Sequence, residues 1–140
     1  MLLGELVHPE ILQALGSAGH GSTVLISDGN FPHATAPFRS APRVYLNLAP
    51  DRFNVEDVLG VLRQAIPIES AAVMSPEGAT PVAHAPILAL LPPAAVVSSL
   101  SRDDFYAATA ADTLALVIAT ADTRPYANVL LTLGVRVEFS

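Results

Sequence analysis

The sequence contains no cysteine and no lysine. The first absence removes thiolate catalysis, disulfides and cysteine-ligated metals. The second removes Schiff-base chemistry and the P-loop phosphate cradle, both of which need a lysine amine. All seven cations are therefore arginines, at positions 39, 43, 52, 63, 102, 124 and 136. They are scattered, without a run that could track a phosphate backbone, so no nucleic-acid partner is expected. HxH and HExxH spacings are missing as well, and the four histidines lie far apart, so no metal is expected. No apolar run reaches the ~18–20 residues of a membrane span. The opening MLLGELVHPE lacks the basic region and long apolar stretch of a signal peptide, so a cytoplasmic protein without membrane contact is the expectation. Any chemistry is left to His, Asp, Glu, Arg, Tyr and Asn.

What is present is largely apolar. Hydrophobic residues make up 51% of the chain and charged residues 14%, with a formal net charge of −6. A chain of 140 residues suits one domain, spanning 1–140. A monomer of that size has too little interior to hide so much apolar side chain. Obligate subunit interfaces resemble a core cut in half. A homo-oligomer is therefore expected.

Strand and helix signals alternate along the chain. Pro9 can open a helix whose face is Ile11, Leu12 and Leu15, with a stop at residues 16–19. TVLIS, residues 23–27, has the β-branched character of a buried strand. Residues 28–42 form a long loop with Gly29, Pro32, Pro37 and Pro42, of a length that is usually functional or disordered. Further strands are read at 44–48, 70–74, 95–98 and 114–120, with one or two last strands over 128–133 and 135–139. Asn54 with Asp57 resembles a capping box over a helix whose apolar face is Val55, Val58, Leu59 and Leu62, and Ser101 with Asp104 a second over a helix at 102–110. Residues 76–86 read as a flexible connector, followed by a brief helix up to Leu91 and a stop at Pro92-Pro93. The alternation predicts a single three-layer α/β/α domain around a mainly parallel, mixed sheet. In such sheets ligands bind beyond the strand ends.

Strand-terminal polar residues are therefore the candidates. His20 lies between Gly19 and Gly21, where the backbone can bend and a ligand can come close. It reads either as a general acid–base near neutral pH or as a helix-terminal histidine favoured by the dipole. Asp28 closes TVLIS; it either caps its own turn or accepts hydrogen bonds from a ligand's hydroxyls. Arg102 opens the helix after Ser101 and reads as a solvated helix arginine or a ligand contact. Tyr126 and Asn128, two apart around Ala127, can point the same way on an extended backbone, or form an ordinary turn. His8, at a helix entrance, His33, in the long loop, and His84, in the connector, are weaker candidates.

The order GHG, strand, SDGNFP and the late PYANVLLTLGV resembles the ribose pyranase and fucose mutarotase family (RbsD/FucU), from end to end of the chain. The resemblance implies a small α/β protein that assembles into ring-shaped decamers and interconverts forms of free monosaccharides without a cofactor. It assigns His20 to the catalytic histidine, and Asp28, Arg102, Tyr126, Ala127 and Asn128 to sugar-contacting positions. The chain also departs from the family. SDGNFP stands where the fucose branch reads SDAHFP. Arg102 is like the fucose branch, where the ribose branch has histidine, while PYAN is like the ribose branch. The proline-rich segment 34–94 matches neither. An L-fucose-like sugar is accordingly favoured over D-ribose.

Mutarotation suits the inventory. A cyclic hemiacetal opens when a proton leaves the anomeric hydroxyl and another reaches the ring oxygen; the aldehyde then recloses. General acid–base assistance of this kind is worth roughly 10²–10⁴-fold. Two other readings are a non-catalytic sugar-binding or regulatory subunit of a sugar uptake or utilisation system, and a metal-dependent aldose–ketose isomerase built from the scattered histidines. One geometric consequence follows. A strand of five or six residues separates its ends by about 15–20 Å, so on a straight segment one sugar cannot touch His20 and Asp28 of the same chain. Either the GHG turn folds back sharply or the histidine of one subunit completes its neighbour's site, and the apolar surplus favours the second. The expectation is a site shared between subunits and an inactive monomer.

Overall fold

The structure, a computed structural model, describes residues 1–137. In chain order they form α1 (Pro9–Ser17), β1 (Thr23–Ser27), β2 (Arg43–Tyr45), α2 (Val55–Leu62), β3 (Ile68–Met74), α3 (His84–Leu88), β4 (Val96–Leu100), α4 (Arg102–Thr109), β5 (Leu114–Ala119) and β6 (Val129–Leu133). The strands make one sheet in the order β2-β5-β1-β6-β3-β4. Every pairing is parallel except those of β6, which runs antiparallel between β1 and β3. The carboxyl ends of β1, β3, β4 and β5 therefore share one edge of the sheet with the start of β6.

Side-chain alternation sends each central strand's residues to two cores. Val24, Ile26, Leu116, Ile118, Val129 and Leu131 face one core, closed by Ile11 of α1, Leu59 of α2 and Ile87 of α3. Leu25, Val117 and Leu130 face the other, closed by Phe105 of α4 together with Phe31 and Ala41 of the long loop. Helices lie on both faces, which is the three-layer arrangement the alternation predicts.

The helix entrances follow the residues read for them. His8 Nδ1 accepts from the Ile11 amide at 3.3 Å, and Ser101 Oγ accepts from the Asp104 amide at 3.2 Å. The Asp57 carboxylate accepts from the Asn54 amide at 2.8 Å. Three readings are corrected. The strand expected over 44–48 stops at Tyr45, because the chain folds on itself where the Leu48 amide meets the Leu46 carbonyl at 3.0 Å. The connector does not run to residue 86: α3 begins at His84, and Ala83, His84 and Ile87 are all buried. Residues 135–137 carry no strand, and the remainder of that expected strand lies outside the described residues.

The long loop is held by one side chain. The Arg43 guanidinium donates to five carbonyls, those of His33 (3.1 Å), Pro37 (2.9 Å), Phe38 (2.7 Å), Arg39 (3.3 Å) and Ala41 (2.7 Å). Charge-assisted bonds of this type are about twice as strong as neutral ones, and a planar fork reaches several acceptors at once. Arg43→Ala is expected to lower stability by about 2–4 kcal/mol in chemical denaturation, with Arg43→Lys recovering only part, since an ammonium has three donors in a different geometry. A loss below 1 kcal/mol would mean the loop is held by its apolar contacts alone.

Candidate active site

Asp28 follows β1 directly and is only 3% exposed. Its Oδ1 accepts from the Asn30 amide at 2.9 Å, so the turn-capping role read from the sequence is real. Its Oδ2 accepts from the Ala127 amide at 3.2 Å and from Asn128 Nδ2 at 3.1 Å. Asn128 Oδ1 in turn accepts from the Asp28 amide at 2.8 Å. Burial pushes the Asp28 carboxyl above the usual aspartate value, opposed by hydrogen bonds from Asn30, Ala127, Phe31 and Asn128. Asp28 is thus both a turn cap and a rigidly held carboxyl.

Around it lies a cavity of about 150 Å³, lined by Asp28, Asn30, Phe31, Met74, Arg102, Tyr106, Pro125, Tyr126 and Asn128. Of the residues expected to contact a ligand, the cavity collects Asp28, Arg102, Tyr126 and Asn128. Ala127 is different: it is fully buried and reaches the site only through its amide. Tyr126 and Asn128 do line one cavity, but not from an extended backbone. Tyr126 has φ 61°, a left-handed conformation that is uncommon for a bulky residue. Drug-sized ligands occupy roughly 300–1,000 Å³, so this smaller cavity, with six polar residues among the nine that line it, suits a small ligand. A larger groove of about 300 Å³ beside Leu6, Ile11, Leu46 and Val58 is mostly apolar and offers hydroxyl groups few partners.

Tyr106 was not among the candidates. It stands four residues after Arg102, one helical turn along α4, so both share a face of that helix. Its ring meets Phe31 edge-on at 5.2 Å between centroids. That i, i+4 spacing was the available signal. His33, read as a weak candidate, is a buried support whose Nε2 lies 2.8 Å from the Asp28 carbonyl. Burial pushes its pKa down, partly offset by that bond.

His20 lies elsewhere. It sits beyond the end of α1 and ahead of β1, and the next residue, Gly21, bonds through its amide to the Leu133 carbonyl at the end of β6. This is the amino edge of the sheet, so the length of β1 separates His20 from the cavity. A five-residue strand rises about 3.3 Å per residue, which puts the two roughly 15 Å or more apart. His20 Nε2 lies 3.1 and 3.2 Å from the two carboxylate oxygens of Glu69, the second residue of β3. Glu69 also went unnoticed in the sequence, because 49 positions separate the pair and no short motif joins them. An ionised carboxylate only accepts, so Nε2 carries the hydrogen in this contact. Among the described residues no group of His, Asp and Glu is placed to hold a metal, and no helix is long and apolar enough to cross a membrane.

The loop between β5 and β6 is fixed at its near end by an ionic cluster. Asp122, fully buried, accepts from the Val55 amide at 3.1 Å and from Arg124 Nη2 at 2.6 Å, and Arg124 also pairs with Glu56. Burial works to raise the Asp122 carboxyl, but Arg124 and the Val55 amide hold it below the usual range.

A small cavity with polar side chains at the strand ends of a mixed sheet defines a single-domain α/β protein with a strand-end pocket. The model of the RbsD / FucU transport protein family matches residues 1–136, and the chain belongs to that family. A D-ribose pyranase of Variovorax paradoxus (strain S110) is 30% identical over 131 residues, covering 93% of this chain and 95% of that protein. Among solved structures, RbsD of Bacillus subtilis complexed with D-ribose shares the fold with a TM-score of 0.84 at 23% identity, covering 98% of this chain and 100% of that one. A fucose mutarotase in complex with L-fucose from Streptococcus pneumoniae follows with a TM-score of 0.78 at 23% identity, covering 94% and 95%.

The Asp28–Asn128 pair yields a pH-dependent prediction. Asn128→Asp keeps the shape, removes the donor to Asp28 and sets a second carboxyl beside it. The folded protein then retains a proton that the unfolded chain releases above about pH 4, so the variant's stability falls as pH rises. Relative to the parent, urea melts are expected to show a deficit growing by up to about 1.4 kcal/mol per pH unit between pH 4 and pH 7. An equal deficit at both pH values would remove the like-charge explanation.

Proposed function

We propose that this protein is a cofactor-free monosaccharide mutarotase or pyranase, a sugar isomerase that interconverts anomers or ring forms of a free sugar. The observation that carries the reading is the cavity in which Asp28, Arg102, Tyr126 and Asn128 converge at the carboxyl edge of the sheet. Carboxylate, guanidinium, phenol and amide together supply donors and acceptors for a ring of hydroxyls. Family membership and the D-ribose pyranase relative support a sugar as the ligand. On the identity of the sugar, the relative favours ribose, while Arg102 favours a fucose-like ring through the branch it resembles.

His20 supplies the acid–base step in this reading. Nδ1 takes the proton of the anomeric hydroxyl and hands it to the ring oxygen as the ring C–O bond breaks; the aldehyde then recloses on its other face or from another hydroxyl, with the two proton transfers reversed. Glu69 is a positioning residue that fixes the ring of His20. Since His20 lies at the amino edge, the His20 of one subunit completes the cavity of its neighbour in a homo-oligomer, with the ring-shaped decamer of the family as the arrangement. Exposed apolar side chains such as Leu48 (84%), Val82 (78%) and Val96 (68%) support buried interfaces.

Saturation-transfer NMR of anomer exchange over a panel of monosaccharides tests the activity. The parent is expected to accelerate exchange of ribose or fucose, and sugar binding without acceleration would instead indicate the non-catalytic sugar-binding or regulatory subunit. His20→Ala should reduce exchange at least 10²-fold with an unchanged fold; a rate within a few-fold of the parent removes His20 from the mechanism. Arg102→His should move the preference toward ribose. Sharing of the site is tested by mixing. His20→Ala and Asp28→Asn are each expected to be inactive alone. Co-refolded, they should regain up to about a quarter of parental activity, because in a randomly mixed ring that share of interfaces joins two intact halves. No recovery would place both halves in one chain.

A further inference from the structure

His84 takes no part in the chemistry above and does not line the cavity, yet it is only 4% exposed. It is the first residue of α3, and its Nε2 lies 3.2 Å from the Tyr126 carbonyl oxygen. A carbonyl only accepts, so Nε2 carries the hydrogen and donates it. The amide of the same peptide unit, that of Ala127, donates to Asp28 Oδ2 at 3.2 Å. In a trans peptide the C=O and N–H point in opposite directions. One peptide plane therefore bridges α3 and the end of β1, pinned at its oxygen by His84 and at its nitrogen by Asp28.

We propose that His84 is a positioning residue for the cavity, acting through the Tyr126–Ala127 peptide to hold Tyr126 and the Ala127 amide in their ligand-ready orientation. Tyr126 has φ 61°, which a bulky residue keeps only when its surroundings over-determine it. Pro125 fixes its own φ, not that of Tyr126, and leaves the orientation of the next peptide open. The His84 bond selects it. If that plane turned over, its N–H would leave Asp28 and its oxygen would face a buried carboxylate. A hydrogen bond at the carbonyl also polarises the amide at the other end of the unit, strengthening the donor that Asp28 receives. The sequence placed His84 in a connector, so nothing in the spacing pointed to this role.

The inference rests on the proposed function only for its sugar readout, and the experiment separates the two. Long-range ¹⁵N NMR of the parent is expected to show Nε2 of His84 protonated; an Nδ1-only hydrogen overturns the proposal without any variant. His84→Phe keeps a ring but has no donor, whereas His84→Gln keeps an N–H at similar reach. His84→Phe is expected to exchange its Ala127 amide hydrogen about tenfold faster, the equivalent of one ordinary hydrogen bond. It should also raise KM for the sugar about tenfold while changing kcat less. His84→Gln is expected to stay within about threefold of the parent in both. Equal impairment of Gln and Phe would reduce His84 to packing, and parental behaviour of Phe would remove it from the site; either overturns the proposal. A parent that exchanges no sugar refutes the mutarotase reading, while the Ala127 amide still decides the role of His84.

Discussion

A carboxylate buried at the end of a strand must be either neutralised or fully supplied with hydrogen bonds. Asp28 draws on the second, while burial still pushes its carboxyl above the usual value. Its oxygens receive the Asn30 amide from its own turn and the Ala127 and Asn128 N–H groups from a segment about a hundred positions away. The return bond from the Asp28 amide to Asn128 closes the exchange, so each residue satisfies the other. This pair requires β6 to begin where β1 ends, which only an antiparallel strand can do in an otherwise parallel sheet. The orientation of β6 and the floor of the cavity are thus one fact seen at two scales.

The same edge is fastened by side chains that meet backbone groups. Arg43 gathers the carbonyls of the long loop, and Asp122 receives the Val55 amide at the start of α2 while pairing with Arg124. Arginine suits such work because its planar fork presents five donors. In a chain without lysine, the cations that are half-buried act as staples. The loops around the cavity are long, and these side-chain bonds hold them to the strands and helices they join.

The amount that could be read in advance follows the range of the interactions. TVLIS and the stretch at 114–119 are buried on both faces, and their composition shows it. Ser101 and Asn54 mark helix entrances three residues from their partners. Strand β4 is exposed along almost its whole length, so no alternation marks its limits; pairing with β3 sets them instead. Glu69 beside His20 and His84 beneath Tyr126 depend on contacts 49 and 42 positions apart, which no local pattern encodes. Tyr126 and Asn128 were found through the expectation of an extended backbone, and they share a cavity through a left-handed one. The chemistry of those side chains was legible, and the backbone that aims them was not.

Backbone strain is distributed in the same sense. Among the described residues the positive-φ positions other than glycine are Asp51, Phe53 and Tyr126. Asp51 bonds through its amide to the Ala121 carbonyl and through its carboxylate to Thr123, so it belongs to the loop that leads to Tyr126. Asp51 and Tyr126 therefore both lie at the carboxyl edge. At the amino edge the positive φ falls on Gly21, where it costs nothing, and His20 beside it is largely exposed with Glu69 as its one described bond partner. An imidazole presented outward on an unstrained turn suits the acid–base role proposed for His20. A cavity lined from a backbone fixed against its own preference presents its side chains in one orientation. The sheet keeps these two features on opposite edges, so in the proposed mechanism a second copy of the chain brings them to the same ligand.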